Sequence, residues 1–226
     1  MAAPNTSGLS IPLPTDRGLY WALFLNSQLL AGALYVAFTA ARATPVKLVA
    51  FAAVWINVGV WVVANSRPDL TAVAARTRRR ALLVAAGYFA ALAVAGGLVG
   101  VGSEAATGLR IAPLPPGYGP ALLYSGEWVT INLQPNYLVG YAALAYLVYV
   151  TVIDAAGSAA AGLLGLFSCV SCSWPIIVSL VSGGSSVLVT AALQVSYGLS
   201  TAVFLVTAGL LYFRPAIFAR VRTAAT

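Results

Sequence analysis

The chain has 226 residues, of which 61% are hydrophobic and 8% are charged, with a formal net charge of +7. A soluble chain carries roughly 25% charged residues, so this one cannot solvate a globular surface, and a bilayer is its natural solvent. It has no histidine, and its one methionine is the first residue, which excludes His-ligated haem, histidine metal sites, histidine general bases and methionine-lined copper paths within the chain.

Residues 1–17 are polar and contain Pro4, Pro12 and Pro14. A basic start, an apolar core and a cleavage site are missing, so the segment does not read as a signal peptide. It is expected to be a polar cytoplasmic arm. Six apolar runs follow, at 18–41, 46–65, 80–102, 136–156, 159–181 and 186–213. Each is close to the ~20 residues that a helix needs to cross a bilayer. Backbone groups in lipid must be satisfied within the segment, which favours helices. A barrel needs alternating segments of about ten residues, and these long unbroken runs do not alternate. The expected fold is all-α, an integral membrane bundle of six transmembrane helices over 18–213. A basic cytoplasmic tail at 214–226 follows it.

Basic residues set the expected orientation. Arg67, Arg76, Arg78, Arg79 and Arg80 lie between the second and third runs. Placing that segment in the cytoplasm also places Arg17, Arg214, Arg220 and Arg222 there, and leaves Arg42, Lys47 and Arg110 outside. The positive-inside rule then puts both termini in the cytoplasm. The clustering of charge between apolar runs also argues against nucleic acid as a partner. Tyr20, Trp21, Trp61, Trp128, Tyr137, Tyr212 and Phe213 fall near the expected helix ends, where aromatic belts form.

The outer loop at 103–135 is the longest connection. It holds Pro113, Pro115, Pro116, Gly117, Gly119 and Pro120, and from Glu127 to Leu133 it alternates polar with apolar residues. That stretch reads as a short strand or as an interfacial segment over the bundle mouth. The whole loop reads as a lid or as a plain connector. It divides two three-helix halves of opposite orientation, a topology found in many transporters.

Polar residues inside the runs need an account. Asn26 and Gln28 in the first run, Asn57 in the second, and Gln194, Tyr197 and Thr201 in the sixth form a candidate intramembrane polar seam. They either line a path or join helices by hydrogen bonds. Gly96 and Gly100 make a small-xxx-small pair expected to let helices pack closely. Tyr137, Tyr141 and Tyr149 lie at helical spacing and read mainly as packing residues. The carboxylates Asp16, Asp69, Glu104, Glu127 and Asp154 are scattered, and no glycine loop precedes a Lys and a Ser or Thr. A soluble catalytic domain is therefore not expected.

The one chemical handle is Cys169 and Cys172, with Pro175 three residues on. A spacing of three puts both thiols on one helix face near mid-bilayer. Pro175 cannot bond to the carbonyl of Ser171 and is expected to kink the helix there. Three readings stay open. The cysteines are small packing residues, a dithiol site for a soft metal such as Cu(I), or a reversible disulfide. Desolvation at that depth raises a thiol pKa and opposes thiolate formation.

The stretch from Cys169 to Pro175 distantly resembles the membrane domains that carry thiol electrons for cytochrome c maturation. Those families place their reactive cysteines on separate helices, whereas both are on one here. The whole chain, with helices rich in Ala, Val and Gly and an Arg-rich inner loop, resembles small uncharacterised multi-pass membrane proteins of haloarchaea. That resemblance implies a cell-membrane location and no defined activity. The functional expectation is a non-catalytic integral membrane subunit or assembly factor, serving a respiratory or other membrane complex. Its partners would be the lipid bilayer and other membrane subunits. One alternative is a permease-like subunit that docks a separate ATPase on the inner loop at 66–80. Another is a membrane thiol oxidoreductase.

Overall fold

The computed structural model describes residues 16–39, 45–68, 73–102, 107–155, 198 and 200–213. The chain divides into two compact units, Met1–Arg42 and Ala43–Thr226.

The first unit contains α1 (Asp16–Phe38), 23 residues with Asp16 in its first turn, where a carboxylate suits the positive end of the helix dipole. At 1.5 Å per residue it is about 35 Å long, enough to cross a hydrocarbon core of about 30 Å. Its polar side chains turn back on their own helix. Asn26 Nδ2 donates to the Ala22 carbonyl at 2.8 Å, and Ser27 Oγ donates to that of Phe24 at 2.8 Å.

The second unit begins with α2 (Val46–Asn65), started by Pro45 and ended where Ser66 turns extended two residues before Pro68. α3 (Ala75–Ala95) follows, with Arg76, Arg78, Arg79 and Arg80 exposed on its first turns. A glycine turn stops it. Gly97 has a φ of +76°, Gly97 N–H donates to the Val94 carbonyl, and Leu98 N–H donates to that of Ala93 at 2.8 Å. This is a Schellman ending, in which the left-handed residue is best a glycine. The chain then enters β1 (Val99–Val101) and continues through β2 (Gly108–Ala112), β3 (Ala121–Ser125) and β4 (Val129–Leu133) to α4 (Pro135–Ala155). α5 (Ser200–Phe213) completes the described part.

The four strands form one antiparallel sheet in the order β1-β4-β3-β2. Directly paired residues share a face. Leu109 pairs with Tyr124, Tyr124 with Ile131, and Ile131 with Val99, which makes one apolar row. Ile111, Leu122 and Leu133 make a second row on the same face. The opposite face carries Arg110, Leu123, Ser125, Thr130 and Asn132 beside glycines and alanines. Val99 and Leu133 pack against the helix core, so the apolar face is the one turned toward the bundle.

Contacts along the helices give their directions. Tyr137 and Tyr141 meet Trp55, Val139 and Ala143 lie beside Gly59, and Tyr146 Oη donates to the Ser66 carbonyl at 2.6 Å. α4 therefore runs the same way as α2. So does α5, because Phe204 stacks on Trp55 and Tyr212 meets Trp61. α3 runs the other way, and its last turn comes to Tyr141 near the start of α4. The arginines and the sheet thus sit at opposite ends of α3.

These features correct the all-α, six-span expectation. The fold is mostly helical, but the third apolar run leaves the helix at Ala95 and contributes β1, because Gly96 and Gly97 break a run that hydropathy alone treats as continuous. The connection at 103–135 holds the remaining strands. Among the described residues, three helices are long and apolar enough to cross a membrane: Asp16–Phe38, Val46–Asn65 and Pro135–Asp154. α3 has 21 residues, but its arginines leave only Ala81 to Ala95 as an apolar stretch. The expected span at 159–181 and the start of the one at 186–213 lie outside the described residues.

The core centres on Trp55, with Leu92, Leu98, Tyr141, Leu144, Leu147 and Phe204. Glycines make room for its rings. A Cβ on Gly140 would collide with the indole of Trp55, and one on Gly96 with the phenol of Tyr141. Gly87 on α3 has no atom within 4 Å of where a Cβ would stand. Gly140→Ala should accordingly lower folded-state stability by about 1–3 kcal/mol through overpacking. Gly87→Ala should leave it unchanged or raise it by up to ~1 kcal/mol through helix propensity. Thermal unfolding of both variants in one detergent or nanodisc preparation checks the contrast.

Candidate functional site

The densest arrangement of side-chain chemistry lies where α2, α4 and α5 meet beneath the sheet. Trp55 stacks on Phe204 with ring centroids 4.3 Å apart and planes 11° from parallel. Tyr137 and Tyr141 approach its indole edge-on, at 5.1 and 5.5 Å, and stack on each other at 5.9 Å. Tyr118, from the loop between β2 and β3, meets the ring of Tyr137 edge-on at 5.9 Å. These are the offset and T-shaped geometries that aromatic quadrupoles favour, worth about 0.5–1.5 kcal/mol per pair beyond area burial. The indole N–H of Trp55 donates to Thr201 Oγ1 at 3.0 Å, so α2 and α5 are joined by a buried hydrogen bond.

The loop that delivers Tyr118 is shaped by its prolines and glycines. Tyr118 N–H and Gly119 N–H both donate to the Pro115 carbonyl at 2.9 Å, and the Gly119–Pro120 peptide is cis. Gly117, at a φ of +89°, lies against Ala52 of α2 and offers its carbonyl to Asn136 N–H at 3.1 Å. The loop is thus pinned between the N-terminal parts of α2 and α4.

Asn136 stands out at this point. Its side chain is fully buried, and neither its amide nitrogen nor its amide oxygen has a hydrogen-bond partner. A buried amide left so costs about 1–3 kcal/mol. Chemically the junction is neutral: aromatic faces, hydroxyls and one amide that can both donate and accept.

The residues singled out from sequence fall in several places. Asn57 Nδ2 donates to the Ala53 carbonyl of its own helix at 2.8 Å, as Asn26 does within α1. Thr201 takes the Trp55 bond. Gln28 lies half-buried on α1. Gly96 caps α3 and seats the Tyr141 ring, whereas Gly100 is on β1 opposite Thr130, so the two glycines do not share a helix. Cys169, Cys172, Pro175, Gln194 and Tyr197 lie outside the described residues. Among the described residues no group of three His, Cys, Asp or Glu side chains is placed to hold a metal ion.

Sequence reasoning passed over Trp55 and Asn136. A tryptophan in mid-run is indistinguishable from any apolar residue in a hydropathy reading. Asn136 follows Pro135 at the start of a run and looks like an ordinary helix-end polar residue.

The Trp55 bond is testable by a double-mutant cycle with Trp55→Phe and Thr201→Val. The ring stack survives the first change, and only the donor is lost. Each single variant should be destabilised, and the coupling between them should be about 1 kcal/mol by thermal or denaturant unfolding. Asn136→Leu should be neutral or stabilising by up to ~2 kcal/mol, because it removes an unpaired buried amide and keeps the backbone bond to Gly117.

No curated protein and no solved structure matches this chain. One family model does, over residues 2–218. The chain therefore belongs to that family, a family of unknown function designated DUF7546.

Proposed function

We propose that the protein is a non-catalytic, multi-pass subunit or assembly factor of a complex in the cell membrane. The observation that carries this reading is the neutral junction around Trp55. Aromatic rings seated on glycines and one indole hydrogen bond serve to hold α2, α4 and α5 in a fixed arrangement. Three apolar helices of crossing length support the membrane placement.

The proposal keeps both termini in the cytoplasm. The arginines at the start of α3 mark the cytoplasmic end by the positive-inside rule, and the sheet then lies outside. Cys169 and Cys172 are proposed to hold a soft metal such as Cu(I) for the complex. A Cys169→Ser, Cys172→Ser double variant should lose copper from the purified native complex, or lower the yield of that complex several-fold. Unchanged metal content and unchanged yield would sink the metal role. A disulfide that cycles under quinone or thiol challenge would favour the oxidoreductase reading instead.

One observation favours a second reading, a permease-like subunit with a separate ATPase. Arg67, Arg76, Arg78, Arg79 and Arg80 are all exposed at one end of the bundle, which suits an acidic docking surface. Changing Arg76, Arg78, Arg79 and Arg80 together to Gln should then abolish recovery of an ATPase with the complex from native membranes. Absence of any ATPase from the unaltered complex counts against this reading.

A further inference from the structure

We propose that the β2–β3 half of the sheet lies flat on the outer surface of the same membrane, with its apolar face sunk into the lipid interface. This rests on the reading that α2 and α4 cross that membrane.

The argument starts from the direction of the face. Val99 and Leu133, at the β1–β4 side, pack against the helix core. The same face continues without a break through β3 to β2, because strand pairing fixes which side chains share it. Exposure is high away from those two residues: Val101, at the far end of β1 on the same face, is 90% exposed. Leu122 and Tyr124 on β3 are each 39% exposed, and Leu109 and Ile111 on β2 reach 66% and 71%. The sheet is therefore anchored at Val99 and Leu133 and overhangs the bundle beyond them, at Val101 and along β2, with its apolar face directed toward the helix ends. A membrane that surrounds the helices lies under that overhang.

Two further features fit a lipid occupant. Trp128, in the turn between β3 and β4, is 88% exposed, and tryptophan is favoured where one side is apolar and the other wet. Arg110, between Leu109 and Ile111, points to the opposite face and stays in the headgroup or water layer. β2 is also an edge strand with apolar side chains, an arrangement that water does not tolerate well and that a lipid surface shields. Interfacial amphipathic segments bury their apolar face roughly 5–10 Å into this boundary.

Site-directed spin labelling tests the proposal. Leu109→Cys, Arg110→Cys, Ile111→Cys and Ala142→Cys are made singly in a Cys169→Ser, Cys172→Ser background. Each is labelled and reconstituted in phosphatidylcholine–phosphatidylglycerol vesicles. Accessibility is then read with oxygen, which partitions into lipid, and with a water-soluble nickel chelate. Oxygen preference at 109 and 111 with nickel preference at 110 is the expected alternation. Nickel preference at all three means the sheet stands in water and overturns the proposal. Protection of 109 and 111 from both reagents means protein covers the face, from residues 156–199 or from a second copy, and overturns it equally. Ala142, exposed in the middle of α4, separates the two levels. If it too prefers nickel, the membrane-span reading fails. If it prefers oxygen while 109 and 111 do not, only the sheet proposal fails. A measurement on the otherwise unaltered chain guards against misfolding of the cysteine-free background. Lipids brominated near the headgroup end of the acyl chain should quench a fluorescence component that Trp128→Phe lacks, and no difference between the two proteins would overturn the proposal.

Discussion

Inside a bilayer, apolar side chains gain little by leaving lipid for one another, so helices are held by fit and by hydrogen bonds. The seating of Trp55 is the constraint on which the rest of this structure depends. Its indole needs a glycine at 140 to approach α4, a ring at 204 to stack on and a hydroxyl at 201 to receive its N–H. Tyr141 needs the backbone of Gly96 in the same way. One ring therefore fixes the distance between α2 and α4 and the register of α5. Through Tyr141 it also sets where α3 ends.

That arrangement gives the molecule a pronounced polarity along the bundle. Guanidinium groups crowd one end of α3, where the helix dipole is already positive and no acidic residue stands in the first turn to offset it. The other end carries a sheet with one continuous apolar face and one mixed face. The aromatic junction lies close to the sheet end, where Asn136 and the loop from Pro113 to Pro120 close over it.

Much of this was legible in the sequence, and the failures have physical causes. The second and fourth runs were read within a residue or so of α2 and α4, because proline and polar residues bound them sharply. The alternation before Pro135 was read as a candidate strand, and β4 occupies it. The third apolar run, 80–102, overruns the helix end at Ala95, since glycines are neutral to hydropathy but decisive for backbone conformation. β2 and β3 escaped notice because they are short and sit among prolines, so no period emerges. The Trp55 junction is assembled from residues as far apart in the chain as Trp55 and Thr201. No local pattern encodes such a meeting. Asn26 and Asn57 each donate to a carbonyl of their own helix four residues back, a bond that a short amide side chain on a helix reaches readily.

The connections between sheet and helices are very short. Gly96, Gly97 and Leu98 alone join α3 to β1, and Gln134 alone joins β4 to α4. β1 and β4 are themselves paired, Val99 with Ile131 and Val101 with Val129. A sliding of α3 against α4 has no slack loop to absorb it. It must be carried by that ladder, either as a sheared set of hydrogen bonds or as a tilt of the whole sheet. The sheet is thus a lever with its short arm clamped to two helices and its long arm at β2. Small axial movements within the bundle would emerge at the far strand as much larger displacements.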